Sequence, residues 1–335
     1  MRDEAKILIV LLFLSPALGE LLSGSSPPLV FFNPFTLLLL VLLYGCGTVL
    51  IREARVRWGL QWSVIFLAVA YGIVEEGLMV KSFFNAGWVD MGVLSGYGMY
   101  FGVQWVWTIM LIFYHATVST LIPITMVDLL WPKYKNTPLL GKRGLLLALA
   151  GITGVTLFGM VFMGSSEGGE MIPYHPHPGL LIGSFMAVML LIGSAYALRK
   201  NRVAQMLPIL PPFMFGVLGF VFMAFNLIVP NALAESQVPA VITLLVQFAV
   251  TTMVLLFVFY QICHQSITKR HMVSLISGSL LFWILLTPVY ELGGAGNPDP
   301  TQGMAAVGLV SLFLLLIWRR MVLKGERYEK HHIFG

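Results

Sequence analysis

Residues 63–80 read SVIFLAVAYGIVEEGLMV, an apolar stretch interrupted by two adjacent glutamates, Glu75 and Glu76. Apart from the glutamates, this stretch is typical of a helix that crosses a lipid bilayer. An ionised carboxylate near the centre of a bilayer costs roughly 2.5–3.5 kcal/mol even on lenient insertion scales. Two neighbouring carboxylates also disfavour each other's charge. The pair therefore indicates a functional site inside the membrane without identifying its chemistry.

The composition of the whole chain is that of an integral membrane protein. Of the 335 residues, 58% are hydrophobic and only 10% are charged. A soluble domain of this length does not have such a composition. The net charge of +5 is explained by basic loops that face anionic lipid, so no nucleic-acid partner is indicated. The expected partners are the lipid bilayer and an unknown membrane-embedded or extracytoplasmic substrate.

Ten apolar stretches are long enough, or nearly so, to cross a hydrocarbon core. Segments rich in Gly, Pro and Asn separate them, as is typical of loops. The sequence therefore predicts an all-α integral membrane protein with about ten transmembrane helices, folded as a single polytopic domain over residues 1–335. The predicted spans are Lys6–Leu22, Phe35–Ile51, Leu60–Phe83, Gly102–Leu130, Gly144–Met163, Leu180–Leu198, Leu207–Val229, Val238–Cys263, Met272–Tyr290 and Met304–Leu323.

The distribution of charge predicts how the chain is oriented. Basic residues lie in the N-terminal tail, in every second loop and in the C-terminal tail, and only Lys81 departs from this pattern. The intervening loops carry acids and no bases. By the positive-inside rule, both termini are expected in the cytoplasm of a multi-pass protein of the cell membrane. Residues 1–19 also resemble a cleavable signal peptide, and the sequence leaves open whether they are removed.

Further polar residues lie near the glutamates along the predicted helices. His115 is about 13 residues into the fourth span, about 20 Å below its outer end and deeper than the glutamates. Ser119 follows one turn later as an orienting hydroxyl, and Glu20 lies at the outer end of the first span. A carboxylate with an imidazole is the minimal set for general-base catalysis. The sequence predicts an outward-opening site on the helices of 1–130, with those of 131–335 as a supporting shell.

Two other charged residues are candidate supporting groups. Lys81 lies at the outer end of the third span, either as a counter-charge for the glutamates or as a lysine that reaches the outer headgroups. Asp90 lies in the loop 85–101, whose aromatic residues form either a lid over the site or an interfacial belt. Consecutive helix positions differ by about 100°, so only one of the two glutamates is expected to point at the histidine.

The glutamate pair and the histidine on the next helix resemble the CPBP (CAAX protease and bacteriocin-processing) family of intramembrane proteases. Residues 75–119 carry this resemblance. It implies that a glutamate and His115 activate water for peptide hydrolysis. The chain differs from each of the family's motifs. Val80 and Lys81 stand near the position of an Arg, Leu111 stands where the family has Phe, and the third motif, a His followed at i+4 by Asn or Asp, is missing.

One outer loop is a candidate for metal chemistry. Glu170, His175 and His177 lie in a short segment, and a His-x-His pair with nearby acids is a ligand set for Zn²⁺ or Cu²⁺. The prolines that flank the histidines favour an extended surface loop instead. No cofactor is predicted, since the sequence has no P-loop, dinucleotide fingerprint or His-Glu-x-x-His motif.

Three classes of function remain open from the sequence. The working hypothesis is an intramembrane hydrolase, with Glu75 or Glu76 as the base, His115 as its partner, and Lys81 or a loop amide stabilising the developing charge. Intramembrane acids and a histidine equally suit a proton- or cation-coupled transporter, although the second half of the chain has no counterpart of these residues. The third class is a non-catalytic scaffold, in which the glutamates hold a helix bundle together by hydrogen bonds.

Overall fold

The computed structural model describes residues 3–167, 170–201, 208–293 and 299–333 and, within these ranges, all side chains except those of 166–171 and 325–333. The described chain is mostly helical, which confirms the all-α membrane protein. The helices are α1 (Asp3–Pro16), α2 (Pro28–Phe31), α3 (Pro34–Leu40), α4 (Cys46–Trp58), α5 (Val64–Ile73), α6 (Trp105–Tyr114), α7 (Ile122–Leu130), α8 (Lys142–Phe162), α9 (Pro178–Ala197), α10 (Pro212–Glu235), α11 (Ala240–Ile262), α12 (Lys269–Gly293) and α13 (Met304–Ile333).

Eight helical stretches of the described residues are long and apolar enough to cross a membrane. The chain is also helical at the remaining two predicted spans, which are the first and the third of the ten. The helix at the first span carries several charges, and the helix at the third span is short. The count of ten and the cytoplasmic position of both termini therefore stay predictions. The eight stretches are Pro34–Trp58, Trp105–Leu130, Lys142–Phe162, Pro178–Lys200, Pro212–Glu235, Ala240–Ile262, Lys269–Gly293 and Met304–Lys324.

Four π-helical segments extend or interrupt the helices of the N-terminal half. They are π1 (Ala17–Leu21), π2 (Val41–Gly45), π3 (Val74–Met79) and π4 (His115–Leu121). In a π turn each N–H bonds to the carbonyl five residues earlier, which widens the helix locally. Two of the four lie beside a proline, since Pro16 precedes π1 and Pro123 follows π4. A proline has no N–H and crowds the preceding turn, so it disturbs the regular α-helical pattern there.

Glycines let the helices around the glutamates approach one another closely. A Cβ atom added at Gly47 of α4 would lie 2.3 Å from the ring of Tyr71 on α5. A Cβ atom at Gly45 would lie 2.6 Å from the carbonyl oxygen of Leu12 on α1. Small residues at such crossings are the usual means of close helix packing in membranes. They bring α1, α4 and α5 together around the segment that carries the glutamates.

The C-terminal ends of α4 and α7 are joined by buried charges. Arg52 Nε lies 3.6 Å from Asp128 Oδ1, and Arg55 Nη1 lies 2.5 Å from Asp128 Oδ2. Arg52 also donates to the carbonyl of Tyr134 at 2.5 Å, and Glu53 accepts from the backbone N–H of Leu139. Because Arg52 is only 1% exposed, the expectation that the basic loops simply face lipid headgroups is wrong for this residue. Its charge is balanced by the buried carboxylates instead.

Two short antiparallel hairpins lie in loops that the sequence leaves irregular. Strand β1 (Met99–Tyr100) pairs with β2 (Val103–Gln104), and β3 (Gly164–Glu167) pairs with β4 (Glu170–Pro173). The first hairpin belongs to the segment between π3 and α6. Within that segment Met91 and Leu94 are buried in one hydrophobic cluster with Trp107 of α6. The loop therefore packs onto the N-terminal part of α6, the helix that leads to His115.

Candidate functional site

The two glutamates of π3 and the histidine of π4 form one buried cluster. His115 Nε2 lies 3.0 Å from Glu76 Oε1, and His115 Nδ1 lies 3.0 Å from Glu75 Oε2. Glu75, Glu76 and His115 are 2%, 7% and 3% exposed, respectively. The expectation that only one glutamate reaches the histidine is therefore wrong. The depth of the histidine relative to the glutamates stays a prediction.

The local helix geometry explains why both glutamates reach one ring. A π turn has more residues than an α turn, so consecutive side chains differ in direction by less than the roughly 100° of an α-helix. An imidazole also carries its two nitrogens on different edges and can contact a group on either side. A Cβ atom at Gly72 would lie 3.4 Å from the Cβ of His115, so the two backbones approach closely. The histidine is thereby placed between the two carboxylates.

Hydrogen bonds hold both oxygens of Glu76. Oε1 is bonded to His115 Nε2, and Oε2 accepts a short hydrogen bond from the hydroxyl of Ser82. The same hydroxyl accepts from the indole N–H of Trp107 at 3.0 Å. Lys81, just before Ser82, has a φ of 66°, a conformation that turns the chain sharply at the end of the helix. This turn places Ser82 beside Glu76, which lies in the preceding π3 segment.

Glu75 is held less completely. Its Oε2 atom is within 3.0 Å of His115 Nδ1 but has no aligned hydrogen-bond partner among the described residues. The aligned bond at Nδ1 is with Ser119 Oγ at 3.2 Å, so Ser119 lies where the sequence predicts an orienting hydroxyl. Tyr71, one turn before Glu75, also has a buried hydroxyl without a partner in the described part of the chain. Tyr71 nevertheless interacts with Glu75, so its hydroxyl is the neighbouring donor for this carboxylate.

Glu20 of π1 lies next to this cluster and is connected to it through Tyr44 of π2. Tyr44 donates a short hydrogen bond to Glu20 Oε1, and Ser26 donates to Oε2 at 2.6 Å. The ring of Tyr44 lies 6.0 Å from that of His115. Glu20 is within electrostatic range of both Glu75 and His115. Two carboxylates thus contact the imidazole and a third lies nearby, and each of them comes from a π segment.

The sequence does not predict four of the residues that complete the cluster. They are Tyr44, Tyr71, Ser82 and Trp107. Each is an uncharged residue in or beside an apolar stretch, so charge and hydropathy patterns contain no signal for it. Spacing along one helix identifies Ser119 from His115 but not a partner on another helix. Only the packing of α4, α5 and α6 brings these hydroxyl and indole groups to the carboxylates.

Lys81 does not act as a counter-charge for the glutamates, so that interpretation is wrong. Its ammonium group donates to the carbonyls of Gly159, Met160 and Met163 at 2.8–2.9 Å. These carbonyls lie at the C-terminal end of α8, where few helical N–H groups remain to bond them. Gly159 also accepts from the backbone N–H of Met163, and Met163 from that of Tyr174. No carboxylate of the described residues lies within 4.0 Å of Lys81. Since Lys81 is 0% exposed, it does not reach the outer headgroups either.

Asp90 lies outside the histidine cluster. It is in the 3₁₀ turn Val89–Leu94, where its Oδ2 atom accepts from the indole N–H of Trp88 at 3.2 Å. It is exposed, in contrast to the glutamates of the cluster. Asp90 is nevertheless within electrostatic range of Glu76. Its position is that of a surface charge rather than of a group that contacts the cluster.

In the loop that carries His175 and His177, the described side chains do not show the expected metal ligands side by side. His177 Nδ1 accepts from the backbone N–H of Gly179 and so caps the start of α9. His175 is exposed, and the side chain of Glu170 lies outside the described residues. The physical reason is that Pro178 starts a helix at once, whose free N–H groups compete for the imidazole.

The described side chains include one group of three that is close enough to share a metal ion. It consists of Glu75, Glu76 and His115, whose ligand atoms lie within 4.8 Å of one another. The carboxylates contact different nitrogens of the ring, so an ion bound at Nε2 beside Glu76 would leave Glu75 to orient the ring from Nδ1. Such a carboxylate–imidazole–metal order is common in proteins. The same order equally suits metal-free proton transfer between the three groups.

Comparison with known proteins agrees with the membrane assignment. Searches of the curated proteins and of the solved structures gave no match. A family model described as an uncharacterized membrane protein family matches residues 9–290, a range that contains the π segments and the whole Glu–His cluster. This match covers well over half of the chain. The chain therefore belongs to this uncharacterized membrane protein family.

Proposed function

We propose that the protein is an intramembrane hydrolase that cleaves a peptide bond with Glu75, Glu76 and His115. The observation that carries this proposal is the position of His115 between two buried carboxylates, at 3.0 Å from each. A carboxylate beside an imidazole is a general-base pair, and burial strengthens the interactions between such groups. The resemblance of residues 75–119 to the CPBP proteases supports the same chemistry.

Glu75 is the base in this proposal. Both oxygens of Glu76 are hydrogen-bonded, whereas Glu75 Oε2 has no aligned partner among the described residues. Glu75 takes a proton from water while the water oxygen bonds to the peptide carbonyl carbon. The C–N bond then breaks, and the proton passes to the leaving amine. His115 shares charge with both carboxylates, and the hydroxyl of Tyr71 donates to the oxygen that becomes negative.

The π segments support a functional role for this region. Such segments are rare in proteins and occur frequently at functional sites. In this chain they carry the three glutamates, Tyr44, His115 and Ser119. We assign the site to the helices of 1–130, and we assign a supporting role to those of 131–335. The substrate in this proposal is a membrane-embedded or extracytoplasmic peptide that enters from the outer side.

Comparison of peptide fragments in membranes tests this proposal. Membranes that contain the wild-type protein, Glu75→Gln, His115→Ala or Asp90→Asn are labelled at new peptide N-termini and analysed by mass spectrometry. New termini are expected with the wild type and with Asp90→Asn, whose exposed side chain lies outside the cluster. They should be missing with Glu75→Gln and His115→Ala. Equal sets of termini for all four proteins would contradict hydrolysis.

A proton-coupled transporter is the second candidate, and one observation favours it. The cluster is closed, with its three central residues at most 7% exposed, and protons need less space than a peptide. Glu20 and Tyr44 would then connect the buried imidazole to the outer side. In proteoliposomes with an internal pH dye, a transporter predicts substrate-dependent proton movement that Glu75→Gln stops. The hydrolase predicts no proton movement.

A further inference from the structure

A cavity of about 810 Å³ lies apart from the Glu–His cluster. Its walls come from α5, the α6–π4–α7 stretch, α10, α11 and α12. Phe113 and Thr117 line it, whereas His115 does not. Residues two positions before and after His115 point roughly away from it, since two helix positions span about 200°. The cavity is therefore on the opposite side of this helix from the carboxylates.

The polarity of the cavity wall changes along its length. The wall between the helices is mainly apolar, with side chains such as Leu121, Phe222 and Ile276. One end is bordered by the loops before α5 and after α11, where Gln61, Trp62, His264 and Gln265 lie. This end coincides with two loops that the charge distribution assigns to the cytoplasmic surface. The wall is thus polar at the predicted membrane surface and apolar toward the membrane interior.

Three hydroxyl residues line the cavity, Thr117, Thr125 and Ser279, and the two threonines do not make it a polar site. Thr117 Oγ1 donates to the carbonyl of Phe113 at 2.8 Å, and Thr125 Oγ1 donates to that of Leu121 at 2.7 Å. Both hydroxyls are therefore satisfied within their own helix. A cavity with such a wall does not hold ordered water well, because water needs two to four polar partners. Its occupant has to be apolar along most of its length.

We propose that this cavity binds the hydrocarbon tail of one membrane lipid, with the headgroup at Gln61 and His264. A bilayer lipid has the same polarity profile as the wall, polar at the membrane surface and apolar inside. The volume of 810 Å³ is within the roughly 300–1,000 Å³ of typical ligand sites. The helices around the cavity include four of the stretches that are apolar enough to cross a membrane. Helices in a bilayer are surrounded by lipid tails, so these tails are the apolar molecules that can reach the cavity. The lipid would support the face of π4 opposite His115.

Photo-crosslinking in nanodiscs tests the lipid site. The full-length protein is placed in phosphatidylcholine nanodiscs that contain a small fraction of lipid with a diazirine in one acyl chain. After illumination, crosslinked peptides are mapped by mass spectrometry. We expect crosslinks at the cavity wall around Thr117 and Thr125. Leu157 and Phe185, each 57% exposed, report labelling by lipid on the outer surface of the helices.

Filling the cavity provides the matched comparison. Thr117→Phe with Thr125→Phe adds bulk without removing a bond to another helix, and we expect crosslinks at Phe222 and Ile276 to fall several-fold. Thr117→Val with Thr125→Val keeps the volume and should leave these crosslinks unchanged. The proposal is overturned if the wild-type wall carries no crosslinks while Leu157 and Phe185 are labelled. It is also overturned if the filled variant is labelled like the wild type while its thermal unfolding curve shows that it is folded.

Discussion

The imidazole of His115 and the carboxylate of Glu76 are joined by an aligned hydrogen bond of 3.0 Å between Nε2 and Oε1. This bond connects π4 to π3 and so joins two helices inside the predicted membrane region. The other edge of the ring contacts Glu75 and Ser119. The histidine thereby combines two properties, a contact that holds the bundle together and a contact that suits proton transfer. Substitutions that change stability more than activity, or activity more than stability, distinguish the two roles.

If the proposed hydrolase function holds, Glu75→Gln is expected to remove peptide cleavage while leaving the fold intact. The amide has nearly the same shape, but it does not accept a proton from water. General-base catalysis contributes typically about 10²–10⁴-fold to a rate, so a loss of that order is expected. The measurement is the rate at which new peptide termini appear in membranes. A Glu75→Gln protein that cleaves at the wild-type rate would assign the base to another group.

His115→Ala is expected to lower stability strongly. Removal of the imidazole leaves the buried carboxylates of Glu75 and Glu76 close together without their shared partner. Breaking a buried charged pair from one side costs about 3–5 kcal/mol. Thermal unfolding in detergent measures the change, with His175→Ala as the control, because His175 is exposed. If both variants melt like the wild type, the contacts of His115 do not stabilise the bundle.

Lys81→Met is expected to destabilise the end of α8 rather than the Glu–His cluster. The variant keeps an apolar stem of similar length but removes the ammonium donor from the carbonyls of Gly159, Met160 and Met163. Gly159 and Met163 keep backbone donors, so the loss falls mainly on Met160. A buried polar group left unsatisfied costs about 1–3 kcal/mol. A lower melting temperature with cleavage retained in the folded fraction is the expected result. Loss of cleavage in protein that is fully folded would restore the counter-charge interpretation.

Gly19→Ala is expected to disturb the cluster from the side of π1. The added Cβ would lie 2.6 Å from the ring of Tyr44 and 2.8 Å from Ser119 Oγ. Such overpacking costs typically about 1–3 kcal/mol. Gly154→Ala is the matched control, because nothing lies within 4 Å of a Cβ at that position of α8. Unfolding curves that place Gly19→Ala at or above Gly154→Ala would show that the packing around Tyr44 is not tight.

The orientation of the chain gives a prediction that does not depend on the chemistry. The alternation of basic and acidic loops predicts both termini in the cytoplasm. A cysteine added at the C-terminus of a variant without Cys46 and Cys263 should react with a membrane-impermeant maleimide only after the cells are opened. A cysteine that replaces His175 in the same background should react in intact cells. The opposite pattern would reverse the topology.

Several residues of the site can be predicted from the sequence. Glu75, Glu76 and His115 are ionisable residues in otherwise apolar stretches, and the cost of such placement makes them visible without a structure. Ser119 follows from helical spacing, since positions four apart share one face. Lys81 is a contrary case, because its charge is visible in the sequence but its partners are three backbone carbonyls of a distant helix. Backbone groups have no signature in the sequence.

The sequence by itself determined that this is a helical membrane protein with acids and a histidine in its apolar spans, because hydropathy and charge are local properties of the chain. Only the tertiary structure decided that both glutamates contact the same imidazole, that Tyr44 joins Glu20 to them, and that Arg52 is buried. These features depend on π turns and on glycine-mediated helix crossings. A π turn arises when packing and nearby prolines outweigh the regular α-helical pattern, and that balance is set between helices rather than within one.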